Sequence, residues 1–149
     1  DLALVEGTPT EPHIISKHWQ NDLMSVVIPS NFKPTKDLNA WLNEQFWLLR
    51  EPGSGTLEMS VKLLAEHGVQ ADRSMQLGSN EAIARAVAQG MGVALLPNVV
   101  TEDLVQLGKL TRLSQKNNEQ LSRPLYQLHY KDRPSSHAAQ AFEKSLFSE

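Results

Sequence analysis

The stretch Phe46-Trp47-Leu48-Leu49-Arg50-Glu51-Pro52-Gly53-Ser54-Gly55-Thr56-Leu57 decides the fold. Its first four residues are a continuous apolar run of strand length, the pattern of a strand covered on both faces. Pro52 and two glycines stop that strand. A helix to His67 follows, with Leu57, Val61, Leu64 and Ala65 as one apolar stripe and Gly68 as its stop. The unit then recurs. A strand through Met75 to Leu77 leads into Gly78-Ser79-Asn80, and a helix from Glu81 carries Ile83, Ala86 and Val87 on one face. Gly90-Met91-Gly92 ends that helix before Val93-Ala94-Leu95-Leu96, a buried strand stopped by Pro97. Strand and helix alternating in this order predict an α/β architecture with a mainly parallel central sheet.

Upstream, Leu2 to Glu6 reads as a half-buried strand, ended by a segment whose Pro9 and Pro12 forbid regular structure. A polar stretch with His13, His18 and Trp19 separates it from a strand at Leu23 to Pro29, rich in β-branched residues. After the loop Asn31 to Pro34, Asp37 is placed to cap a short helix through Trp41 and Leu42. Downstream come a helical turn from Glu102 to Leu107, a strand near Leu110 to Leu113 and a polar loop from Gln115 to Gln120. A strand at Leu125 to Tyr130 and a helix after Pro134 close the chain. In that helix Ala138, Phe142 and Leu146 are four apart, which predicts one packed face. The chain opens at Asp1, without methionine, and runs straight into a strand. A strand cannot satisfy its backbone groups alone, so the expectation is a fragment of a longer protein.

With 149 residues, the chain can bury a substantial core as one domain or two small lobes. Its 14 basic and 17 acidic residues leave a net charge of −3, and no run of lysine or arginine is present to neutralise a phosphate backbone. Direct nucleic-acid binding by these residues is therefore not expected. The absence of cysteine excludes disulfides, thiolate catalysis and cysteine-based zinc sites. No apolar run approaches the roughly 20 residues that span a bilayer, and no secretory signal pattern is present in these residues.

Three loops follow the ends of apolar strands: Gly53-Ser54-Gly55-Thr56, Gly78-Ser79-Asn80 and Pro97-Asn98. In open α/β sheets the carboxyl ends of parallel strands line the ligand crevice, so these loops are expected at one edge. The first two also open helices. A helix N-terminus offers unpaired N–H groups and partial positive charge, and Ser54, Thr56, Ser79 and Asn80 add donors and acceptors suited to a small polar or anionic ligand. The same residues also serve as ordinary N-caps, and one residue can fill both roles.

Enzyme patterns fit less well. Pro52 and Thr56 stand where a nucleophile elbow around Ser54 needs glycines. No lysine completes a phosphate-binding P-loop, and Glu58 replaces the third glycine of a dinucleotide fingerprint. His13, His18, His67, His129 and His137 lack the i, i+4 spacing of a helical zinc site. A spatial cluster of His129, Asp132 and His137 competes with ordinary solvated side chains. An acid/base pair of Glu6 and Glu51 competes with a salt bridge from Glu51 to Arg50. Trp41, Trp47 and Phe46 read as core rather than an aromatic cage.

Taken in order, Asp1 to Gly7, Leu48 to Thr56, Leu77 to Ile83 and Val87 to Pro97 resemble the effector-binding domain of LysR-type transcriptional regulators. The resemblance implies a two-lobed, type II periplasmic-binding-protein-like fold, with lobe one partial and lobe two complete. Residues 1–30 would belong to lobe one, 35–118 to lobe two, and 123–149 to the return into lobe one. A winged helix-turn-helix DNA-binding domain would lie outside this chain. By the same resemblance, a small-molecule effector binds in the inter-lobe cleft, and the hydroxyls and helix N-termini there favour an anionic one. Ser79, Asn80, Pro97, Val99, Ser54, Gly55 and Thr56 would face Glu6, Gly7 and Thr8, with no cofactor, metal or catalytic residue. The intact protein would be a cytoplasmic homo-oligomer that meets DNA only through its missing domain and has no membrane contact. A solute-binding receptor of a transport system is the alternative on the same fold, and an enzyme is third.

Overall fold

The computed structural model describes residues 2–6, 11–113 and 121–147. The chain resolves into two compact units, a smaller one from residues 1–22 and 122–149 and a larger one from residues 23–121.

The larger unit is a sheet with helices on both faces. Strand β3 (Trp47–Arg50) pairs in parallel with β4 (Ser74–Leu77), from Trp47 opposite Ser74 to Arg50 opposite Leu77. Strand β5 (Ala94–Pro97) continues the parallel set through a bridge from Trp47 to Val93. On its other side β5 meets β2 (Ile14–Pro29) antiparallel, Met24 opposite Pro97 and Val27 opposite Ala94. Strand β6 (Leu110–Arg112) pairs antiparallel with the end of β2.

Period-two alternation divides these strands between two cores. One core holds Met24, Val26, Ile28, Trp47, Val93 and Leu95. It is covered by Trp41 and Leu42 of α1 (Leu38–Glu44) and by Leu63 and Leu64 of α2 (Gly55–Glu66). The other core holds Val27, Leu48, Ala94 and Leu96 under Ile83, Ala84 and Val87 of α3 (Asn80–Ala88). Val100, Leu104 and Val105 of α4 (Asn98–Gln106) pack at its margin. Adjacent residues such as Leu95 and Leu96 are thus both buried, on opposite faces, which explains the unbroken apolar run.

Gly92, two residues before β5, sits against Phe46, the residue before β3. A Cβ there would lie 2.1 Å from the Phe46 carbonyl oxygen, which accepts from Val93 N–H at 2.8 Å. Leu48 N–H in turn donates to Val93 O at 2.9 Å. Only glycine lets these two backbones reach hydrogen-bond distance.

The smaller unit has β1 (Leu2–Glu6) antiparallel to β7 (Leu121–Tyr130), with Leu2 opposite His129 and Glu6 opposite Leu125. Strand β7 also neighbours β2. Helix α5 (His137–Leu146) meets β2 through polar groups: Trp19 Nε1–H donates to Leu146 O at 3.2 Å, Lys17 approaches Glu143 at 3.9 Å, and its ammonium sits 3.6 Å from the Phe147 ring centroid.

Five sequence expectations are corrected. The sheet is mixed rather than mainly parallel, because β2 pairs antiparallel with β5 and β6, and β1 with β7. The polar stretch around His18 and Trp19 is strand, because β2 runs 16 residues from Ile14 rather than starting at Leu23. Its polar half lacks the β-branched run that marks the buried half. The stripe Leu57, Val61, Leu64, Ala65 is rotated: Val61 is 56% exposed and Ala65 is exposed, while Thr56, Ser60, Leu63 and Leu64 are buried. The Ser60 hydroxyl donates to Thr56 O at 2.8 Å, so a polar residue satisfied within the helix occupies the inward face. In α5 the face of Ala138 and Phe142 is outward, Phe142 being 48% exposed, and Ala139, Glu143 and Leu146 are the half-buried positions. The polar docking through Lys17 and Trp19 sets that rotation. Finally, β7 starts at Leu121 and passes through Pro124. The β1 ladder ends opposite Leu125, so Pro124 removes no bond from that pairing. The expected polar loop Gln115 to Gln120 lies outside the described residues.

Candidate functional site

Strands β3, β4 and β5 are parallel, so their carboxyl ends, Arg50, Leu77 and Pro97, lie at one edge of the larger unit. Each is followed within a few residues by a helix N-terminus, those of α2, α3 and α4. The sheet therefore brings together Ser54, Gly55, Thr56, Ser79, Asn80, Pro97 and Val99.

Both serines cap their helices. Ser54 Oγ accepts from Thr56 N–H at 3.2 Å, and Ser79 Oγ accepts from Ala82 N–H at 3.0 Å. Each cap satisfies one of the orphan donors of its first turn and leaves the positive end of the helix at the same edge. A capping serine spends an oxygen lone pair, so its O–H keeps its own donor capacity. Helix α4 is different, with Pro97 at its cap and no side-chain cap bond. There Thr101 Oγ1 donates to Asn98 O at 3.1 Å, while Arg112 Nη2 donates to Asn98 O and to Glu102 Oε2, each at 2.8 Å. Pro97 is buried against β2, whereas Val99 is 78% exposed in the first turn of α4.

Arg50, considered in the sequence only as a salt-bridge partner, is the principal cation of this edge. Its Nε and Nη2 donate to Glu51 Oε2 and Oε1 at 2.7 and 2.8 Å, and its Nη1 donates to Asn80 Oδ1 at 3.0 Å. The end of β3 is thereby tied to the first residue of α3. The Arg50 hydrogen bonds, helped by the Glu51 backbone N–H, hold the Glu51 carboxyl well below its ordinary range, at about 2. Hydrogen bonds from Arg112 and then Gln106 likewise lower the Glu102 carboxyl. An arginine at the end of an apolar strand, where the run Leu48-Leu49 gives way to polar residues, was the signal available in the sequence.

Of the residues expected from lobe one, Glu6 belongs to the smaller unit and pairs with Arg123; Gly7 and Thr8 lie outside the described residues. Arg123 is buried and also donates through Nε and Nη2 to Asp22 Oδ2 at 2.9 and 2.8 Å. A lone arginine two residues before Leu125 gave no pattern from which this cluster could be read. Glu6 and Glu51 thus each engage an arginine. Trp47 and Trp41 are core, as their short apolar elements suggested. Among the described residues, no group of three or more histidine, aspartate or glutamate side chains is arranged to hold a metal. None of the described helices is long and apolar enough to cross a membrane.

A mixed α/β sheet whose parallel strands β3, β4 and β5 each lead into a helix N-terminus at one edge is the architecture of the type II periplasmic-binding-protein-like class. The chain belongs to the LysR substrate binding domain family, whose model matches residues 1–148. It is 33% identical over 145 residues to the uncharacterized HTH-type transcriptional regulator YeiE of Escherichia coli K12, covering 95% of this chain and 49% of that protein. It is 34% identical over 113 residues to the HTH-type transcriptional regulator CbbR of Rhodospirillum rubrum, covering 76% of this chain and 38% of that one. The chain thus spans half or less of the length of these relatives. The regulatory domain of Synechocystis PCC6803 CcmR, solved in complex with 2-PG, superposes with a TM-score of 0.80 at 28% identity, covering 98% of this chain and 71% of that one. The effector binding domain of QuiR in complex with shikimate shares the fold, with a TM-score of 0.77 at 20% identity over 98% of this chain and 69% of that one. The chain is therefore an effector-sensing domain of the LysR type, and the relatives named here are transcriptional regulators rather than transport receptors.

Proposed function

We propose that this chain binds a small anionic metabolite at the strand-end edge of the larger unit and, within a longer regulator, converts its presence into altered DNA binding. Ser54, Gly55, Thr56, Ser79, Asn80, Pro97 and Val99 are the binding residues proposed there. Glu6, Gly7 and Thr8 are those proposed in the smaller unit. The observation that carries this reading is the pair of serine-capped N-termini, α2 and α3, with the Arg50 guanidinium at the end of β3 hydrogen-bonded to Asn80 at the start of α3. Helix N-termini favour negative charge, and a nearby guanidinium adds to that preference. The 2-PG complex of the CcmR regulatory domain supports an anionic ligand class, since that domain is 28% identical.

The proposed role is binding without catalysis. A ligand shifts a conformational population only through unequal contacts with two states, and in a paired regulator such a shift would re-aim helix-turn-helix modules carried elsewhere in the protein. The proposed setting is a cytoplasmic homo-oligomer, since symmetric pairing is the common state of soluble assemblies.

A thermal-shift screen of metabolites, beginning with 2-PG and shikimate, is expected to find a ligand that raises the melting temperature of this domain. Ser79→Ala and Asn80→Ala in the full-length regulator should abolish the response to that ligand while DNA binding persists. Normal response in both variants would discard the site.

A further inference from the structure

We infer that Glu51 is a built-in competitor for the effector's anionic group: its carboxylate occupies the edge of the Arg50 guanidinium on which a carboxylate or phosphate of the ligand docks. The inference rests on the proposed effector site and names its recognition chemistry.

Two features of Arg50 lead here. Its Nη1 is anchored on Asn80 Oδ1, which fixes the plane of the guanidinium from the far side of the loop. The opposite edge, Nε with Nη2, makes a two-point contact with both Glu51 oxygens. That edge is the geometry arginine offers to any planar carboxylate or to two phosphate oxygens. The side chain carrying the cation is 18% exposed, whereas that of the carboxylate is 45% exposed. The guanidinium is thus held in the protein, and its partner sits on the solvent side.

The pair also joins neighbours in sequence. A salt bridge between residues 50 and 51 closes no tertiary loop, so releasing Glu51 opens no core and unties no element. Asn80 keeps Arg50 oriented after the exchange. Solvent-exposed ion pairs are weak because water competes for both partners. A ligand anion that also gains from the α2 and α3 N-termini has the advantage over Glu51, which makes its contacts from the turn preceding α2. When the ligand leaves, Glu51 returns to the same edge of the guanidinium.

The test is nuclear magnetic resonance titration of the 149-residue chain with inorganic phosphate, and separately acetate, at constant ionic strength. Amides of residues 55, 56, 79 and 80 should shift. Glu51→Gln should tighten phosphate binding by about three-fold, the order expected for loss of an exposed competitor. Arg50→Gln should weaken it by about ten-fold or more, with Arg50→Lys between, since lysine restores charge without the fork. Glu44→Gln, which removes one negative charge from α1, should leave affinity unchanged. Shifts at residues 55, 56, 79 and 80 with no tightening in Glu51→Gln, or with equal tightening in Glu44→Gln, would overturn the exchange and leave the site standing. Neither anion shifting those amides would overturn both.

Discussion

Replacing Gly92 by alanine should be among the most damaging single-methyl changes this chain can suffer. The added Cβ would lie 2.1 Å from the Phe46 carbonyl oxygen and 3.0 Å from its carbon, against backbone rather than a side chain that could swing away. An ordinary carbon–oxygen contact is about 3.3 Å, so β3 and β5 would have to part by roughly 1 Å. The Val93 N–H to Phe46 O and Leu48 N–H to Val93 O bonds, now 2.8 and 2.9 Å, would then be stretched beyond use. Both lie between buried strands, where water does not replace them. At about 1–1.5 kcal/mol net per bond, more where a group is left unsatisfied, the loss comes to roughly 2–4 kcal/mol. For a chain of this length that corresponds to a fall in melting temperature of about 5–15 °C. Urea unfolding followed by far-ultraviolet circular dichroism measures it. Gly90→Ala is the control: its φ of +84° strains alanine, but no atom lies within 4 Å of the new Cβ, so the cost should be about 1 kcal/mol. A Gly92→Ala variant within 1 kcal/mol of the parent, or one no worse than Gly90→Ala, would refute the argument from close approach.

Other substitutions test the same frame. Leu96→Ala, in the core under α3, should cost about 2–5 kcal/mol in the same unfolding experiment. Ser79→Ala should cost about 1 kcal/mol through loss of the α3 cap, measured alongside ligand binding so that the two roles separate. Arg50→Met should let the Glu51 carboxyl titrate near its ordinary 4.5 instead of about 2, read from its side-chain carbon resonance against pH. A folded value below the unfolded one stabilises the native state above pH 4.5, and that contribution fades as pH falls from 4.5 toward 2. In the variant the fade should disappear.

The larger unit was the more legible part of the fold. Its strands β3 and β5 are covered on both faces, so burial wrote itself as consecutive apolar letters, and glycine, proline and serine marked the turns. Where a polar side chain did an apolar residue's work, the pattern misled. Ser60 is buried because its hydroxyl bonds within α2, and counting apolar letters therefore rotated that helix. In the smaller unit, α5 rests on Lys17 and Trp19 rather than on an apolar floor, so a stripe drawn through Phe142 had nothing to answer it. Of the proposed ligand residues, those at strand ends were readable because topology alone fixes which edge they share. The Arg50–Glu51 bridge was readable from adjacency, but the bond from Arg50 to Asn80 and the Arg123 cluster were not, since the fold brings in those partners from about thirty and a hundred residues away.

The burial of Trp47 gives the domain its own optical reporter. Its ring is fully buried in the larger unit, and its indole N–H donates to Leu42 O at 3.1 Å. Emission from this indole should be blue-shifted, and its N–H should exchange slowly with deuterium. It stands three residues before Arg50 on the same strand. A change in its surroundings would therefore register as a change in quantum yield, with no label attached and no residue of the proposed binding edge altered.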